Sequence, residues 1–396
     1  MIEVDVAIVG GGIIGATAAA AVAQQRGIAS VHVAPPPPPD ARTTALLQDA
    51  VGLLRELGVW DRCEAAPLRT MRLVDGSRRL LRARPIDFRA SEIGLEAFGY
   101  NVGNGTLLAA LGGIDVDRRV TFVDEAVRRD GLWRLRLSDG KDVVAPVVVA
   151  ADGRNSPMRA AAGIAVRRWS YDQTALVVAF EHELPHGDVS TEFHTETGPF
   201  TQVPLPPTDD APHRSSLVWV VRRGEAERLM ATDLNALGDM VADGMEHMLG
   251  GVRLEAAPMS YPLEGSVAEP CGRDGVLLVG EAAHVMAPIG AQGANLGFRD
   301  IAAVLEGLRG GERDPDRLAR AYAANRRADV ALRTGAVDAL NRSLLTSFLP
   351  VQIGRALGTG LLARSGALRR AIMRFGMAPR GAYGNGSTGS EPVVIR

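Results

Sequence analysis

The sequence predicts a mixed α/β and α+β fold: a doubly wound domain, a mainly antiparallel sheet domain and a C-terminal helical region. Three observations support this prediction. The chain opens with a strand, a glycine-rich turn, a helix and a second strand. Residues from about 166 to 265 hold mainly strand patterns, and helical patterns dominate from about 293 to 377. Alternating strands and helices are typical of a parallel sheet, whereas consecutive strands favour an antiparallel one.

The first unit has the pattern of a dinucleotide-binding turn. The run "VDVAIVG" (4–10) is nearly all apolar, as expected of a strand buried on both faces. In the usual pattern the first glycine makes a tight turn, the second admits a pyrophosphate, and the third lets helix and strand pack. The N-terminus of the following helix offers free N–H groups and a partial positive charge to phosphates. The glycines at this spacing are Gly10, Gly12 and Gly15.

One part of that pattern is missing. An acidic residue is expected about 20 residues beyond the last glycine, where it would hold the ribose hydroxyls. That place is Ala34 or Pro35, and proline continues through Pro39. Asp40 is the nearest carboxylate that could reach back.

The remaining patterns complete the two-part organisation. Residues 43–60 have apolar positions at helical spacing and predict one amphipathic helix. Residues 131–144 predict a hairpin that turns at Asp139-Gly140. A buried strand, an Asp-Gly turn and a short helix are expected over 147–163, helices at about 225–249, and a strand at 275–280 that returns to the first domain.

These elements divide the chain into five parts. The predicted boundaries are 1–165 for the first segments of the doubly wound domain, with a strand-rich insert at about 66–100, 166–265 for the sheet domain, 266–310 for the return to the first domain, 311–380 for the helical region and 381–396 for a flexible tail.

Composition excludes several classes of function. The net charge of −2 gives no reason to expect nucleic-acid binding. The two cysteines, Cys63 and Cys271, are too few for a disulfide framework or a cysteine metal site, so we predict no metal. The N-terminus has no basic region of a signal peptide, and no apolar run reaches the roughly 18 residues of a membrane span. We therefore predict a cytoplasmic protein.

Three ordered stretches carry a family resemblance: "GGGIIG" (10–15), "ADGRNS" (151–156) and "GEAAHVMAPIGAQGAN" (280–295). Together they resemble the aromatic-ring hydroxylase class of FAD-dependent monooxygenases. Within this class the chain is similar to the ubiquinone-biosynthesis hydroxylases of the UbiH/UbiF type, and the similarity extends to "DARTTALL" (40–47) and "NRSLLTSFLPVQIGRALG" (341–358).

The resemblance implies an FAD site. Glu281, where most relatives have aspartate, would bind the FAD ribityl chain, and the glycines after Pro288 would bring backbone N–H groups to the flavin N1/O2 edge. Alternatives remain for three residues: Glu281 as a helix cap or surface residue, Asp152 as an ordinary turn cap, and His284 as a turn-fixing rather than flavin-side histidine. The implied cofactor-binding residues are Gly10, Gly12, Gly15, Arg42, Asp152, Gly153, Gly280, Glu281, Pro288, Gly290, Gln292, Gly293 and Asn295.

The resemblance also implies a reaction. It is the hydroxylation of an aromatic ring, here a prenylated ubiquinone precursor, with O2 and with NAD(P)H as reductant and co-substrate. In the family, reduced flavin forms a C4a-hydroperoxide that attacks the ring, and the protein positions the ring and excludes water. We identify no catalytic acid or base; His194 and Gln202 are polar strand residues that could face the pocket.

Two departures from the family pattern predict weak FAD binding. Ala34 replaces the strand-end acid, and Gly105 stands where many relatives have the arginine of an Asn-Arg pair near the cofactor. Each loss could remove a charge-assisted hydrogen bond, about 1.5–3 kcal/mol. The alternative function is therefore a flavin-poor scaffold or lipid-binding member of a quinone-biosynthesis complex.

The C-terminal region is basic. No acidic residue lies between Asp338 and Glu391, and apolar runs separate the arginines of this segment. Basic amphipathic helices attract anionic lipid, so we predict peripheral contact with the inner face of a membrane through residues 341–380. The alternative is that these helices cover a domain junction with their arginines solvated. The arginines are Arg342, Arg355, Arg364, Arg369, Arg370, Arg374 and Arg380.

Overall fold

The computed structural model describes residues 1–36, 40–76, 84–345 and 365–377. The described strands are β1 (Ile2–Glu3), β2 (Val6–Val9), β3 (Ser30–Ala34), β4 (Thr43–Leu47), β5 (Ala65–Pro67), β6 (Thr70–Asp75), β7 (Ile86–Arg89), β8 (Gly99–Gly103), β9 (Arg118–Val120), β10 (Val123–Arg129), β11 (Leu132–Leu137), β12 (Asp142–Ala145), β13 (Val147–Ala150), β14 (Val166–His182), β15 (Val189–His194), β16 (Pro199–Leu205), β17 (Arg214–Arg222), β18 (Val252–Leu254), β19 (Met259–Ala268), β20 (Gly272–Arg273), β21 (Val276–Leu278) and β22 (His284–Val285). The described helices are α1 (Ile13–Ala23), α2 (Gln48–Glu56), α3 (Asn104–Gly112), α4 (Pro157–Ala161), α5 (Arg223–Met230), α6 (Leu234–Gly244), α7 (Gln292–Arg309), α8 (Pro315–Leu345) and α9 (Gly366–Met377).

A six-stranded sheet in the order β20-β21-β13-β2-β3-β9 forms the first layer. Its strands are parallel except for the β20–β21 pair. All four residues of β2 and of β13 are buried apolar residues, so these central strands have hydrophobic cover on both faces. The main hydrophobic core joins this sheet to residues of α1, α3 and α7. The predicted mixed fold with a doubly wound domain is confirmed.

A nine-stranded, mostly antiparallel sheet forms the second layer. Eight of its strands follow the order β22-β19-β14-β17-β16-β15-β6-β7, and β18 pairs with β14. Helices α5 and α6 cover one face through apolar residues such as Leu229 and Leu237. On the opposite face, Tyr171 and Val220 pack with Ile289 and with Val337 of α8. This face therefore looks towards the loop that follows β22.

The insert at 66–100 belongs partly to this second sheet. We predicted it as part of the doubly wound domain, but β6 pairs with β15 in parallel and β7 pairs with β6. That assignment was wrong because pairing between strands so far apart along the chain leaves no local sequence signal. Pairing over this distance depends on the tertiary fold.

The prediction of one helix over 43–60 was also wrong. Residues Thr43–Leu47 form β4, which pairs with β8, and helix α2 begins only at Gln48. The N–H of Leu47 donates to Asn295 Oδ1 (2.8 Å), so a residue distant in sequence fixes the strand end. The hairpin at 131–144 is confirmed as the antiparallel β11–β12 pair, with Gly140 at φ +80°.

Helix α9 packs on the far edge of the second sheet. Met373 is buried against Phe88 and Phe98, and Arg369 pairs with Glu92 at 2.8 Å. Among the described helices, none is both long and apolar enough to cross a bilayer. The predicted tail at 381–396, residues 346–364, and the arginines Arg355, Arg364 and Arg380 lie outside the described residues.

Candidate cofactor-binding site

A cavity of about 760 Å³ lies where the carboxyl ends of β2, β13 and β21 face the second sheet. Its volume falls within the roughly 300–1,000 Å³ of small-molecule and cofactor sites. The crevice at the carboxyl ends of parallel strands is also the usual ligand position in open α/β sheets. Met259 and Tyr261 of β19 line the opposite side, so both sheets form the wall.

The three N-terminal glycines have different roles in the structure. A Cβ at Gly10 would stand 2.2 Å from the backbone oxygen of Ala151, and one at Gly15 would stand 2.1 Å from the oxygen of Gly10. Protein packing therefore requires both glycines. A Cβ at Gly12 would meet no protein atom within 4 Å and would project beside the cavity. Gly12 thus leaves space for a ligand, as the second glycine of the pattern should.

Two helix N-termini present unused backbone donors to this cavity. Helix α1 is capped by Gly12 and α7 by Ala291, and neither cap makes a side-chain hydrogen bond. Neither helix has an acidic residue in its first turn. Gly12 and Gly293 line the cavity, so the partial positive charge of both termini is available to an anion there. This donor set fits the phosphates and the electron-rich ring edge of a flavin dinucleotide.

The glycines of the 280–297 stretch divide in the same way. Gly280 and Gly290 have φ of +59° and +62°, a region that glycine adopts without strain. A Cβ at Gly297 would stand 2.8 Å from the side chain of Ile14, so this glycine lets α7 pack on α1. At Gly293 a Cβ would meet nothing within 4 Å. Close helix packing and open space at the cavity together explain the glycine-rich sequence.

A charged cluster spans the middle of the cavity. Arg42 donates to Asp40 through Nε and Nη2, both at 2.7 Å, and Asn104 Nδ2 donates to the same carboxylate at 2.9 Å. Burial alone would raise the pKa of Asp40, but the hydrogen bonds from Arg42 and Asn104 outweigh burial and lower this pKa. The guanidinium also lies over the ring of Tyr261, 5.5 Å from its centroid. Asp40 is therefore ionised at neutral pH, and both of its carboxylate oxygens accept hydrogen bonds.

The end of β3 carries no acid at the cavity. Ala34 is only 4% exposed, whereas Pro35 and Pro36 line the cavity. A glutamate at Ala34 would therefore be buried, and Pro35 is the position from which a carboxylate could reach a ligand. At Gly105 a Cβ would meet only the backbone oxygen of Asp40, at 3.7 Å, so a longer side chain has room.

Asp152 and Glu281 occupy the turns after β13 and β21. Asp152 Oδ2 accepts the N–H of Met158 (2.9 Å) in the first turn of α4. Burial raises the pKa of Asp152, and its Oδ1 has no hydrogen-bond partner in the described part of the chain. The Glu281 side chain is half exposed and lies 3.5 Å from Arg154. Asp152 thus supports the start of α4, whose N-cap is Ser156, with one carboxylate oxygen, while Glu281 is left accessible to a ligand.

The cavity brings together nine of the thirteen predicted residues: Gly10, Gly12, Gly15, Arg42, Asp152, Gly153, Gly280, Glu281 and Gly293. Pro288, Gly290, Gln292 and Asn295 lie outside its lining. Asn295 holds β4 to α7, and Gln292 accepts a hydrogen bond from Arg333 (2.7 Å). Both polar side chains therefore already have protein partners.

His284 lines the cavity and also belongs to a buried charge network. Its side chain is fully buried, and its Nε2 lies 2.7 Å from Asp300 Oδ2. Asp300 also accepts the N–H of Gly280 (3.0 Å) and Nε of Arg326 (2.8 Å). Burial would raise the pKa of Asp300, but His284 and Arg326 outweigh it and hold the pKa below its usual value. His284 Nε2 therefore fixes the turn through Asp300, while its Nδ1 has no hydrogen-bond partner in the described part of the chain, so a flavin-side role stays open as well.

Sequence reasoning missed several cavity residues. Asn104 and Tyr261 line the cavity but were not predicted to do so. The ion pair between Asp40 and Arg42 was not predicted either. The only sequence signal for Asn104 is its place beside Gly105, at the position of the family's Asn-Arg pair. No local pattern distinguishes Tyr261 from other strand residues.

Comparison with known proteins gives consistent matches. The FAD binding domain family matches residues 109–334, more than half of the chain. The chain is 35% identical to "Ubiquinone hydroxylase UbiL" of Rhodospirillum rubrum, over 94% of this chain and 89% of that protein. It is 30% identical to "3-demethoxyubiquinol 3-hydroxylase" of Escherichia coli, over 94% and 98%. Among solved structures, p-nitrophenol 4-monooxygenase PnpA from Pseudomonas putida shares the fold, with a TM-score of 0.75, 17% identity and coverage of 95% and 98%.

Proposed function

The chain belongs to the FAD-dependent hydroxylases of ubiquinone biosynthesis, and we propose that its substrate is a prenylated phenolic precursor of the quinone. It is an FAD-dependent aromatic-ring hydroxylase that uses O2, with NAD(P)H as co-substrate. The observation that carries this function is the cavity between the two sheets, with Gly12 open to it and two uncapped helix N-termini at its wall.

Bound FAD supplies electron transfer from the nicotinamide and activation of O2. We propose that the backbone N–H groups at Gly12 hold the pyrophosphate, that Glu281 accepts hydrogen bonds from the ribityl chain, and that the α7 N-terminus stabilises negative charge on the ring edge. Arg42 joins Asp40 to the face of Tyr261 in the wall of the cavity. The apolar face of the second sheet excludes water and orients the aromatic ring.

The alternative function is a flavin-poor scaffold or lipid-binding member of a quinone-biosynthesis complex. Purified protein should carry FAD and should consume NAD(P)H and O2 while converting a prenylated phenol to its hydroxylated product, followed by mass spectrometry. In cells, deletion should cause the unhydroxylated precursor to accumulate. Two results together would favour the scaffold. Purified protein would be free of FAD and inactive even after loading with excess FAD, and cells would still need the chain for quinone synthesis.

We further propose peripheral membrane contact near α9. Arg370 and Arg374 are exposed beside Ile372, which is 44% exposed, whereas Arg369 is held by Glu92. Exposed cations beside an apolar side chain suit an anionic lipid surface, each charge contributing about 1 kcal/mol. Of the four predicted arginines that are described, Arg342 pairs with Asp338 and Arg369 with Glu92, so Arg370 and Arg374 are the two proposed to contact lipid.

Vesicle flotation tests the contact. Wild-type protein should bind anionic vesicles in a salt-sensitive manner, and the double change Arg370→Gln with Arg374→Gln should weaken binding. The matched control, Arg317→Gln with Arg320→Gln, removes the same charge from α8 and should bind as wild type does. Equal binding to neutral and anionic vesicles, or none to either, contradicts the proposal.

A further inference from the structure

The cavity-facing side of the second sheet carries a histidine–carboxylate pair outside the cofactor site. Strand register traces this face through directly opposed residues: Met259 with Val177, Val177 with Val218, Val218 with Thr201, and Thr201 with Glu192. Directly opposed residues in antiparallel strands point to the same face of the sheet. Because Met259 lines the cavity, Glu192 lies on the cavity-facing side. His194, two residues along β15, shares that side.

The pair lies across the sheet from the residues that pack against the cofactor loop. Val218 packs in the cluster that contains Ala287 and Ile289 of the loop after β22. Glu192 is two strands further across the sheet, about 10 Å away at the usual strand spacing. The intervening Thr201 has a buried hydroxyl with no hydrogen-bond partner in the described residues. A ring placed beside the loop would therefore meet polar groups at its outer edge.

The two side chains form one hydrogen-bonded unit. His194 Nε2 lies 2.7 Å from Glu192 Oε1, and each side chain is 14% exposed. The hydrogen bond to Glu192 uses Nε2 and leaves the other ring nitrogen, Nδ1, outside the pair. The neighbouring charged residue on this face is Asp75, directly opposite His194 in β6. Gln202, the other polar strand residue considered from the sequence, faces the opposite side and donates to Ser215.

We propose that Glu192 and His194 form the proton-accepting subsite for the hydroxyl of a phenolic substrate. This inference rests on the proposed hydroxylase function. The phenol O–H bond breaks, its electron pair stays on the phenolate oxygen, and the proton moves to His194 Nδ1. Glu192 keeps the Nε2 proton in place and stabilises the imidazolium. The step needs no oxidant or reductant, and it makes the ring richer in electrons, as electrophilic hydroxylation requires.

The test compares two histidines that each contact a carboxylate, His194 on the sheet and His247 at an exposed site. His194→Asn removes the proposed acceptor, and Glu192→Gln removes only the charge of its partner. The control, His247→Asn, breaks a similar pair between His247 Nε2 and Asp243 Oδ1 (2.9 Å) at an exposed site after α6. Asparagine also tolerates the positive φ of +56° at His247. Circular dichroism and FAD content should match wild type in all three variants.

Two measurements on FAD-loaded protein follow. The first is the absorption spectrum of bound 4-nitrophenol, which reports its phenolate fraction at fixed pH. We expect the phenolate-to-phenol ratio to fall about tenfold in His194→Asn and less in Glu192→Gln. The second is hydroxylation of 2-prenylphenol, for which kcat should fall about 100-fold in His194→Asn with little change in KM. His247→Asn should match wild type in both.

The outcomes distinguish failure of the proton-accepting subsite from failure of the hydroxylase function. Wild-type spectra and kcat in both His194→Asn and Glu192→Gln would overturn the subsite while leaving the hydroxylase function intact. A wild-type protein that binds FAD but hydroxylates no prenylated phenol would contradict the proposed function. In that case the bound 4-nitrophenol spectrum still decides whether the pair accepts a phenolic proton. If His194→Asn fails to fold, Glu192→Gln carries the test.

Discussion

Replacing Gly12 with alanine should weaken cofactor binding without disturbing the fold. The backbone at Gly12 has φ −75° and ψ 177°, which alanine adopts freely, and its Cβ would meet no protein atom within 4 Å. At Gly15 the same change would place a Cβ 2.1 Å from the oxygen of Gly10. Overpacking of this kind costs about 1–3 kcal/mol of stability or more. Gly12→Ala thus tests the space left for the ligand, whereas Gly15→Ala tests the packing of the protein.

The expected loss of FAD affinity follows from the donors at the α1 N-terminus. A methyl group beside the pyrophosphate would displace at least one charge-assisted hydrogen bond, about 1.5–3 kcal/mol. Since about 1.4 kcal/mol corresponds to a tenfold change, the Kd for FAD should rise about 10- to 150-fold. Titration of apo-protein with FAD measures the Kd, and thermal unfolding of the apo-protein measures stability. Wild-type affinity in Gly12→Ala, or a Tm as low as that of Gly15→Ala, would refute the reasoning.

Three further predictions concern the remaining parts of the site. Glu281→Ala should lose FAD. Its circular dichroism should be unchanged because the Glu281 side chain is half exposed and adds little to the core; normal FAD retention would make Glu281 a surface residue. Pro35→Glu and Gly105→Arg should each raise FAD affinity about tenfold by restoring a charge-assisted hydrogen bond, and a gain from neither would contradict our account of weak binding. Asp300→Asn should lower the free energy of unfolding by about 1.5–3 kcal/mol because it weakens the charge-assisted hydrogen bonds from His284 and Arg326, although Arg326 keeps its second carboxylate partner, Asp329. Because the pKa of Asp300 is lowered in the fold, its stabilisation is present above the usual carboxyl pKa of about 4 and is lost as pH falls through the folded value. The acid limb of the stability curve should therefore be flatter in this variant, and an unchanged limb would assign acid sensitivity to other groups.

Sequence patterns predicted the elements whose signals are local. The apolar runs of β2 and β13 and the turn at Gly140 are confirmed because burial on both faces and a positive φ each leave a direct compositional mark. The strand at Thr43–Leu47 was missed because it forms only through pairing with β8 and a hydrogen bond from Leu47 to the side chain of Asn295.

The candidate site shows the same division. The spacing of Gly10, Gly12 and Gly15 predicted their place at the cavity. The spacing did not predict that Asp40 would pair with Arg42, or that His284 would be buried against a residue of α7. The Asp40–Arg42 contact is local, but nothing in the spacing of the glycines indicates it, whereas the His284–Asp300 contact joins two separate elements. Predicting the His284–Asp300 contact from sequence would require the packing of α7 in advance.

The pairing of Asp40 with Arg42 changes the physical account of weak FAD binding. With its charge neutralised at 2.7 Å, Arg42 attracts a phosphate less than a free arginine would. The phosphates are then left to backbone N–H groups and helix N-termini, whose interactions are local. We therefore expect the Kd for FAD to change little between low and high salt. Asp40→Asn should free the guanidinium, tighten FAD binding at low salt and make the binding salt-sensitive, since screening acts on net charges. Strong salt dependence in wild type, or none in Asp40→Asn, would show that Arg42 is not restrained by its carboxylate partner.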